Sequence, residues 1–206
     1  MTVMSAITDR IINNKKIFEC RIPLGKVCQL RNGYAFQSSS YKSNGKYKIL
    51  TIANVQGDRY VTTNDCKLIS TLPKDIQEHQ LLKENDILIS MTGNVGRVSL
   101  CSEENFLLNQ RVGLLTPIIK EHEFLFQILS SNHFEKSMIA CGQGAAQMNI
   151  GKNDIDNYII PFSKKAINLS LFANLLKAYD VKIDDNYNLI YNYILQKQYL
   201  LQQMFI

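Results

Sequence analysis

The 206-residue chain, 46% hydrophobic and 20% charged, is long enough for one substantial globular domain and an appendage, and its composition excludes collagen-like, mucin-like and largely disordered chains. Lys and Arg number 23 against 18 Asp and Glu, and the resulting +5 favours a polyanionic partner only weakly, because net charge speaks to association and not to fold. No stretch reaches the roughly 18 consecutive apolar residues of a transmembrane helix, and the start, MTVMSAITDRIINNKKIF, lacks the apolar core of a signal peptide, so a cytoplasmic protein is expected.

Residues 1–21 form a short leader with helical spacing at Ile7, Ile11 and Ile12, followed by Lys15 and Lys16, and read as a modest surface helix. Residues 22–165 carry mainly strand and turn signals. Glycines at 25, 33, 45, 57, 93, 96 and 113 punctuate β-rich runs such as Tyr47 to Ala53, Ile87 to Met91 and Val112 to Leu115, and Asn44-Gly45 is a tight-turn dipeptide. One helical segment interrupts them, Glu121 to Ala140, with Asn132-His133 as the point where it bends or breaks. The fold class expected is α+β, a globular domain with a mainly β core.

Residues 166–206 contain no Pro and no Gly, and Leu169, Phe172, Leu176, Tyr179, Ile183, Tyr187, Ile190, Ile194 and Leu201 step by threes and fours, which predicts one long helix. At roughly 1.5 Å per residue it extends for about 60 Å, more than a domain of this size needs to cover its own core, so it is expected to pair with another helix as a coiled coil. Two successive steps of four through Ile183, and Lys197 where the stripe would continue, make that pairing irregular. A cut after Lys165 is expected to remove the helix and leave the domain. Lys177, Lys182 and Lys197 balance Asp180, Asp184 and Asp185, so the whole +5 lies in residues 1–165. A basic domain joined to a neutral pairing helix suits a polyanion holder with a spacer.

No catalytic centre emerges. The sequence has no GxxxxGK[ST] phosphate loop, no Asn-Pro-Pro-aromatic methyltransferase motif and no Asp followed by a Glu-x-Lys nuclease pattern. Cys20, Cys28, Cys66, Cys101 and Cys141 form no CxxC and read as reduced thiols, while His79, His122 and His133 form no metal-binding spacing. Neither a catalytic residue, a metal nor a cofactor is expected in this chain. Asp184-Asp185, adjacent on a helix, point about 100° apart and read as a solvated face.

Four segments carry binding chemistry. Arg31-Asn32-Gly33-Tyr34-Ala35-Phe36-Gln37-Ser38 with Tyr41-Lys42 sets an aromatic, an amide and cations on one surface, although Tyr34 and Phe36 suit a core equally well. Met91-Thr92-Gly93-Asn94-Val95-Gly96-Arg97 is either a glycine cradle for an anion, with Arg97 assisting, or a hairpin turn. Asn109-Gln110-Arg111-Val112-Gly113 suits a DNA contact or an internal hydrogen-bond network. In Gln143 to Ile155, Asn153 or Asp154 would cap a helix and leave Gln147, Asn149 and Lys152 near its start.

In this order, NGYAFQSSSY, NDILISMTGNVGRV, LNQRVGLL and GAAQMNIGKNDIDNYIIP resemble the target recognition domain of the DNA-specificity (S) subunits of type I restriction-modification systems, over roughly residues 22–206. The resemblance implies a reader of one half of a bipartite duplex DNA site and a long helix acting as ruler. It also implies a non-catalytic chain whose partners are methyltransferase (modification) subunits using S-adenosylmethionine and, in the full complex, restriction subunits using ATP and Mg. Family members usually carry two recognition domains; with one domain and one helix, this chain is expected to homodimerise through residues 169 to 201 of the stripe. Carried over by motif, Arg31, Tyr34, Gln37, Lys42, Arg97, Arg111, Gln147, Asn149 and Lys152 are expected to face DNA. A specificity subunit of a type II restriction enzyme shares this recognition domain, and a coiled-coil module that binds no DNA is the alternative outside the family.

Overall fold

A computed structural model of the chain describes residues 10–142 and 148–204. The strands are β1 (Cys20–Pro23), β2 (Cys28–Asn32), β3 (Tyr47–Leu50), β4 (Lys67–Ile69), β5 (Leu81–Leu82), β6 (Ile87–Ser90), β7 (Val98–Leu100), β8 (Phe106–Leu108), β9 (Val112–Pro117) and β10 (Ile159–Phe162). The longer helices are α1 (His122–Leu129), α2 (Asn132–Gly142), α3 (Lys152–Asp156) and α4 (Ala166–Met204). The fold is α+β, as expected, with a mainly β domain and a long C-terminal helix.

One sheet runs β2-β9-β6-β7 and is antiparallel throughout, and a second runs β4-β3-β8-β5 with β3 and β8 parallel. β6 shows why they stack. Ile87, Leu88 and Ile89 are all fully buried, and the two-residue period of a strand sends Ile87 and Ile89 to one side and Leu88 to the other. Ile87 and Ile89 join Leu115, Phe124 and Leu125 beneath the helices, whereas Leu88 joins Leu50, Phe106, Leu108 and Leu114 from both sheets. β1 pairs with β10, Cys20 opposite Phe162, and so ties the beginning of the domain to the residues just ahead of α4. This strand starts two residues before the expected domain boundary at 22. In the described part of the leader, Ile11, Ile12 and Ile17 pack against the main core and Phe18 is buried in it, while Ile7 of the expected helix lies outside the described residues.

The helix expected over 121–140 is two helices. The chain breaks at Ser130-Ser131, ahead of Asn132-His133, because the Ser131 hydroxyl accepts the Phe134 N–H at 3.3 Å and starts α2 afresh. Nor does Asn44-Gly45 close a hairpin. Leu68 of β4 pairs with both Lys42 and Lys48, so residues 43–46 carry the chain past β4, and a Cβ on Gly45 would lie 2.7 Å from the Ile69 carbonyl oxygen. All five cysteines are free thiols, and burial pushes Cys28 and Cys101 up to about 12. Among the described residues no helix is long and apolar enough to cross a membrane.

The stripe of α4 divides in two. Leu169, Phe172, Ala173 and Leu176 are buried in the domain's own core, where the Phe172 ring meets Phe18 edge-on at 5.3 Å and Phe124 at 5.9 Å. A cut after Lys165 therefore removes part of the core along with the helix. Asp180 makes the last hydrogen bonds from α4 to the domain among the described residues: its carboxylate accepts Gln127 Nε2 at 2.7 Å and Arg59 Nη1 at 3.1 Å, and Arg59 also grips Glu123 through both terminal nitrogens at 2.9 and 2.8 Å. Burial raises the Glu123 carboxyl, but the hydrogen bonds from Arg59 and Gln127 and the Arg59 and Lys177 charges together outweigh it and hold the group below the ordinary glutamate range. Asp180 receives one guanidinium nitrogen and lies beside the Glu123 charge, so burial prevails and pushes it up. Every residue from 181 to 204 is exposed, including Ile183, Tyr187, Ile190, Ile194 and Leu201. Phe172→Ala, which empties a ring-sized space between Phe18 and Phe124, is expected to cost about 3–5 kcal/mol in chemical unfolding, a large share of the ~5–15 kcal/mol of a typical domain.

Candidate nucleic-acid interface

The four sequence segments, the last of them through its described residues from Met148 on, meet along one edge of the domain, joined by backbone hydrogen bonds. Tyr34 N–H donates to Leu108 O at 2.8 Å and Gln110 N–H to Tyr34 O at 2.9 Å, which sets the turn after β2 beside the turn before β9. Met91 N–H donates to Arg111 O at 3.0 Å, Ile150 N–H to Met91 O at 3.0 Å and Gly93 N–H to Met148 O at 3.0 Å, adding the turn after β6 and the approach to α3. Gly33 lets the first pair close, for a Cβ there would stand 2.2 Å from the Asn109 carbonyl oxygen.

These turns frame an open cleft of about 510 Å³ lined by Asn32, Thr92, Gln110, Arg111, Asn149 and Lys152 among others. Gln110, Arg111, Asn149 and Lys152 are exposed. Arg111 has no side-chain partner among the described residues, and its N–H is held by Asn109 Oδ1 at 3.2 Å, so a local turn aims it outward. The Asn109 segment thus does both things its sequence allows, with Asn109 bonding internally and the next two residues presented to solvent. Asn149 accepts the Thr92 hydroxyl at 3.3 Å, and the Lys152 ammonium pairs with Asp156 one turn on. α3 begins after Gly151, so neither Asn153 nor Asp154 caps it; the Asp154 carboxylate reaches back to the Gly151 N–H at 2.8 Å. Such an array exposes amide groups, of the kind able to read base edges, beside an unpaired cation of the kind able to bind a phosphate.

Other expected site residues are placed elsewhere. Arg97 pairs with Glu135 of α2 at 3.3 Å and donates to Gln56 at 3.2 Å, so its charge is already engaged within the fold. The glycine cradle is a hairpin turn: Gly93 and Gly96 adopt φ of 76° and 82°, and their N–H groups donate to Met148 O and Ser90 O, leaving neither for an anion. Arg31 points into a separate groove with Glu78, His79 and Asp86, where it donates to Gln29 at 3.2 Å. The Tyr34 ring lies tilted against Phe36 at 4.8 Å, and its hydroxyl donates to Asp75 at 2.8 Å, a bond that pushes its phenol pKa up. Gln37 and Lys42 are exposed on the stretch flanking the Ser38–Ser40 turn, which runs beside β4. Gln147 lies outside the described residues. Asn32, Thr92 and Gln110, which lie in the segments singled out from the sequence but outside the set expected to face DNA, also line the cleft; their common signal is a polar residue at a turn beside a strand end. Among the described residues no cluster of His, Cys, Asp or Glu could hold a metal ion.

A family model for the type I restriction modification DNA specificity domain matches residues 21–184. Among solved structures, one from work on assembly and conformational transition of the type I R-M system superposes with a TM-score of 0.65 at 16% identity, covering 98% of this chain and 48% of that one. The HsdS subunit from Thermoanaerobacter tengcongensis gives 0.61 at 19% identity, covering 89% and 44%. The S subunit of the type I system of M. genitalium gives 0.58 at 18% identity, covering 83% and 41%. The chain therefore spans less than half the length of the proteins it resembles. No curated protein sequence matches it.

The Gly33→Ala variant is expected to lose about 1–3 kcal/mol of stability in thermal or chemical unfolding, because the added methyl meets backbone and no flexible side chain can yield.

Proposed function

The chain belongs to the type I restriction-modification DNA specificity family, and from that premise we propose that it reads one half of a bipartite duplex DNA site. The observation that carries this reading is the cleft: one edge of the domain gathers Gln110, Asn149 and the unpartnered Arg111 onto a backbone frame, which is the mixture of amide readers and phosphate-binding cation that groove recognition needs. The chain performs no chemistry of its own. In the cytoplasm it positions methyltransferase subunits, which carry S-adenosylmethionine, and restriction subunits where the system has them.

The second half-site is read by a second copy. Tyr179, Ile183, Tyr187, Ile190, Ile194 and Leu201 form the exposed part of the stripe, and pairing two copies through it hides apolar surface that the chain cannot cover itself. Two identical readers related by a two-fold axis favour a palindromic, interrupted site. A second apolar face of α4, with Leu189, Tyr193 and Leu200, lies about 100° around the helix from the first and remains open for a modification subunit.

Fluorescence anisotropy of the full chain on duplex DNA tests the reading. Affinity is expected to fall steeply between 50 and 200 mM salt, and Arg111→Ala to weaken binding about tenfold while lowering the slope of log K against log salt by about one. Affinity indifferent to salt, or unchanged by Arg111→Ala, contradicts it.

A further inference from the structure

We infer that Arg59, Gln127 and Asp180 are positioning residues that fix the direction in which α4 leaves the domain, and thereby the separation of half-sites that the paired chains accept. The consequence for DNA rests on the specificity reading above; the geometry of the clamp does not.

The buried apolar residues of α4 end at Leu176, and every residue from 181 to 204 is exposed. The network at Asp180 is therefore the outermost hold on the helix. It draws on three elements. Arg59 is anchored through its carbonyl, which accepts the Leu100 N–H of β7 at 2.7 Å, and its guanidinium lies over the Phe126 ring of α1 at 5.0 Å. From there it grips Glu123 with both terminal nitrogens and turns one of them, at 3.1 Å, onto Asp180 Oδ2, the same oxygen that accepts Gln127 Nε2 at 2.7 Å. The Arg59 side chain is only 12% exposed and that of Asp180 27%, so solvent screens the contact less than it would a surface pair. Apolar packing permits sliding and tilting, whereas charge-assisted bonds of fixed fork geometry are directional.

Leverage makes that direction matter. From Asp180 to Met204 the helix extends about 36 Å at ~1.5 Å per residue, so a swing of about 5° at the clamp moves the far end by about 3 Å, close to the ~3.4 Å step between base pairs. A ruler that distinguishes neighbouring half-site separations needs its angle held to a few degrees, and the only directional bonds between α4 and the domain near its exit, among the described residues, are these.

The test is a distance distribution from pulsed electron resonance on the full chain. Spin labels enter as non-canonical residues at exposed Lys136 on α2 and exposed Gln203 on α4, with doubly labelled chain diluted into unlabelled chain so that only distances within one chain are read. A single narrow distance is expected for the unaltered clamp, and Asp180→Ala and Arg59→Gln are each expected to broaden it at least twofold. Asp180 lies beyond the last packed turn, so its variant leaves the core intact and decides the matter even where Arg59→Gln fails to fold. In parallel, selection from duplexes with varied half-site separation is expected to return the same half-site sequence for Asp180→Ala with a wider range of separations, a change that loss of stability alone does not produce. Unbroadened distances in the Asp180→Ala chain overturn the inference. A chain with the clamp intact that selects no DNA overturns the specificity reading instead, while the distances still decide the clamp.

Discussion

The packing of the first turns of α4 into the domain is the contact on which the rest of the molecule depends. Leu169, Phe172, Ala173 and Leu176 complete the core that Phe18, Phe124 and the inward side of β6 begin, so the helix is not an attachment to a finished domain. An isolated helix gains little from propensity alone and is held chiefly by tertiary contacts. Here those contacts occupy one third of the helix and leave the remainder projecting, straight from a folded base, with its apolar residues uncovered. Domain and helix are mechanically one object for this reason.

The edge that holds the cleft follows a similar division between backbone frame and exposed side chains. Its turns are joined through backbone N–H and carbonyl groups, from Tyr34 through Gln110, Arg111 and Met91 to Ile150, and backbone bonds are indifferent to side-chain identity. Side chains at the rim can differ while the frame persists. Gly33 and Gly113 belong to the frame: a Cβ at either would press on the neighbouring strand or turn, at 2.2 Å from Asn109 O and 2.5 Å from Leu30 Cδ1.

Much of the fold was legible in the sequence because its strongest signals are local. The absence of Pro and Gly after 165 and the regular apolar spacing identified α4, and the apolar run at Ile87 identified β6. The division of the stripe was not legible, since Leu176 and Ile183 look alike by periodicity and differ only in what the fold sets against them. Arg97 is illegible for the same reason: a cation beside glycines resembles a phosphate site, and its partner Glu135 lies thirty-eight residues away with no local pattern to announce it. The cleft itself was only half visible. Its segments stood out one by one, but the backbone bonds that align Thr92, Gln110 and Asn149 join residues far apart in the chain, and the Arg59 clamp links positions 64 and 121 residues apart with no local pattern at all.

Solution mass by light scattering, for the full chain beside one ending at Lys182, addresses the pairing of two readers most directly. The shorter chain keeps every packed turn of α4 and Asp180 while losing most of the exposed stripe. A full chain at twice its 23.6 kDa, with the shorter one folded and monomeric, is the expected result; a full chain that remains a monomer at every concentration contradicts a paired reader.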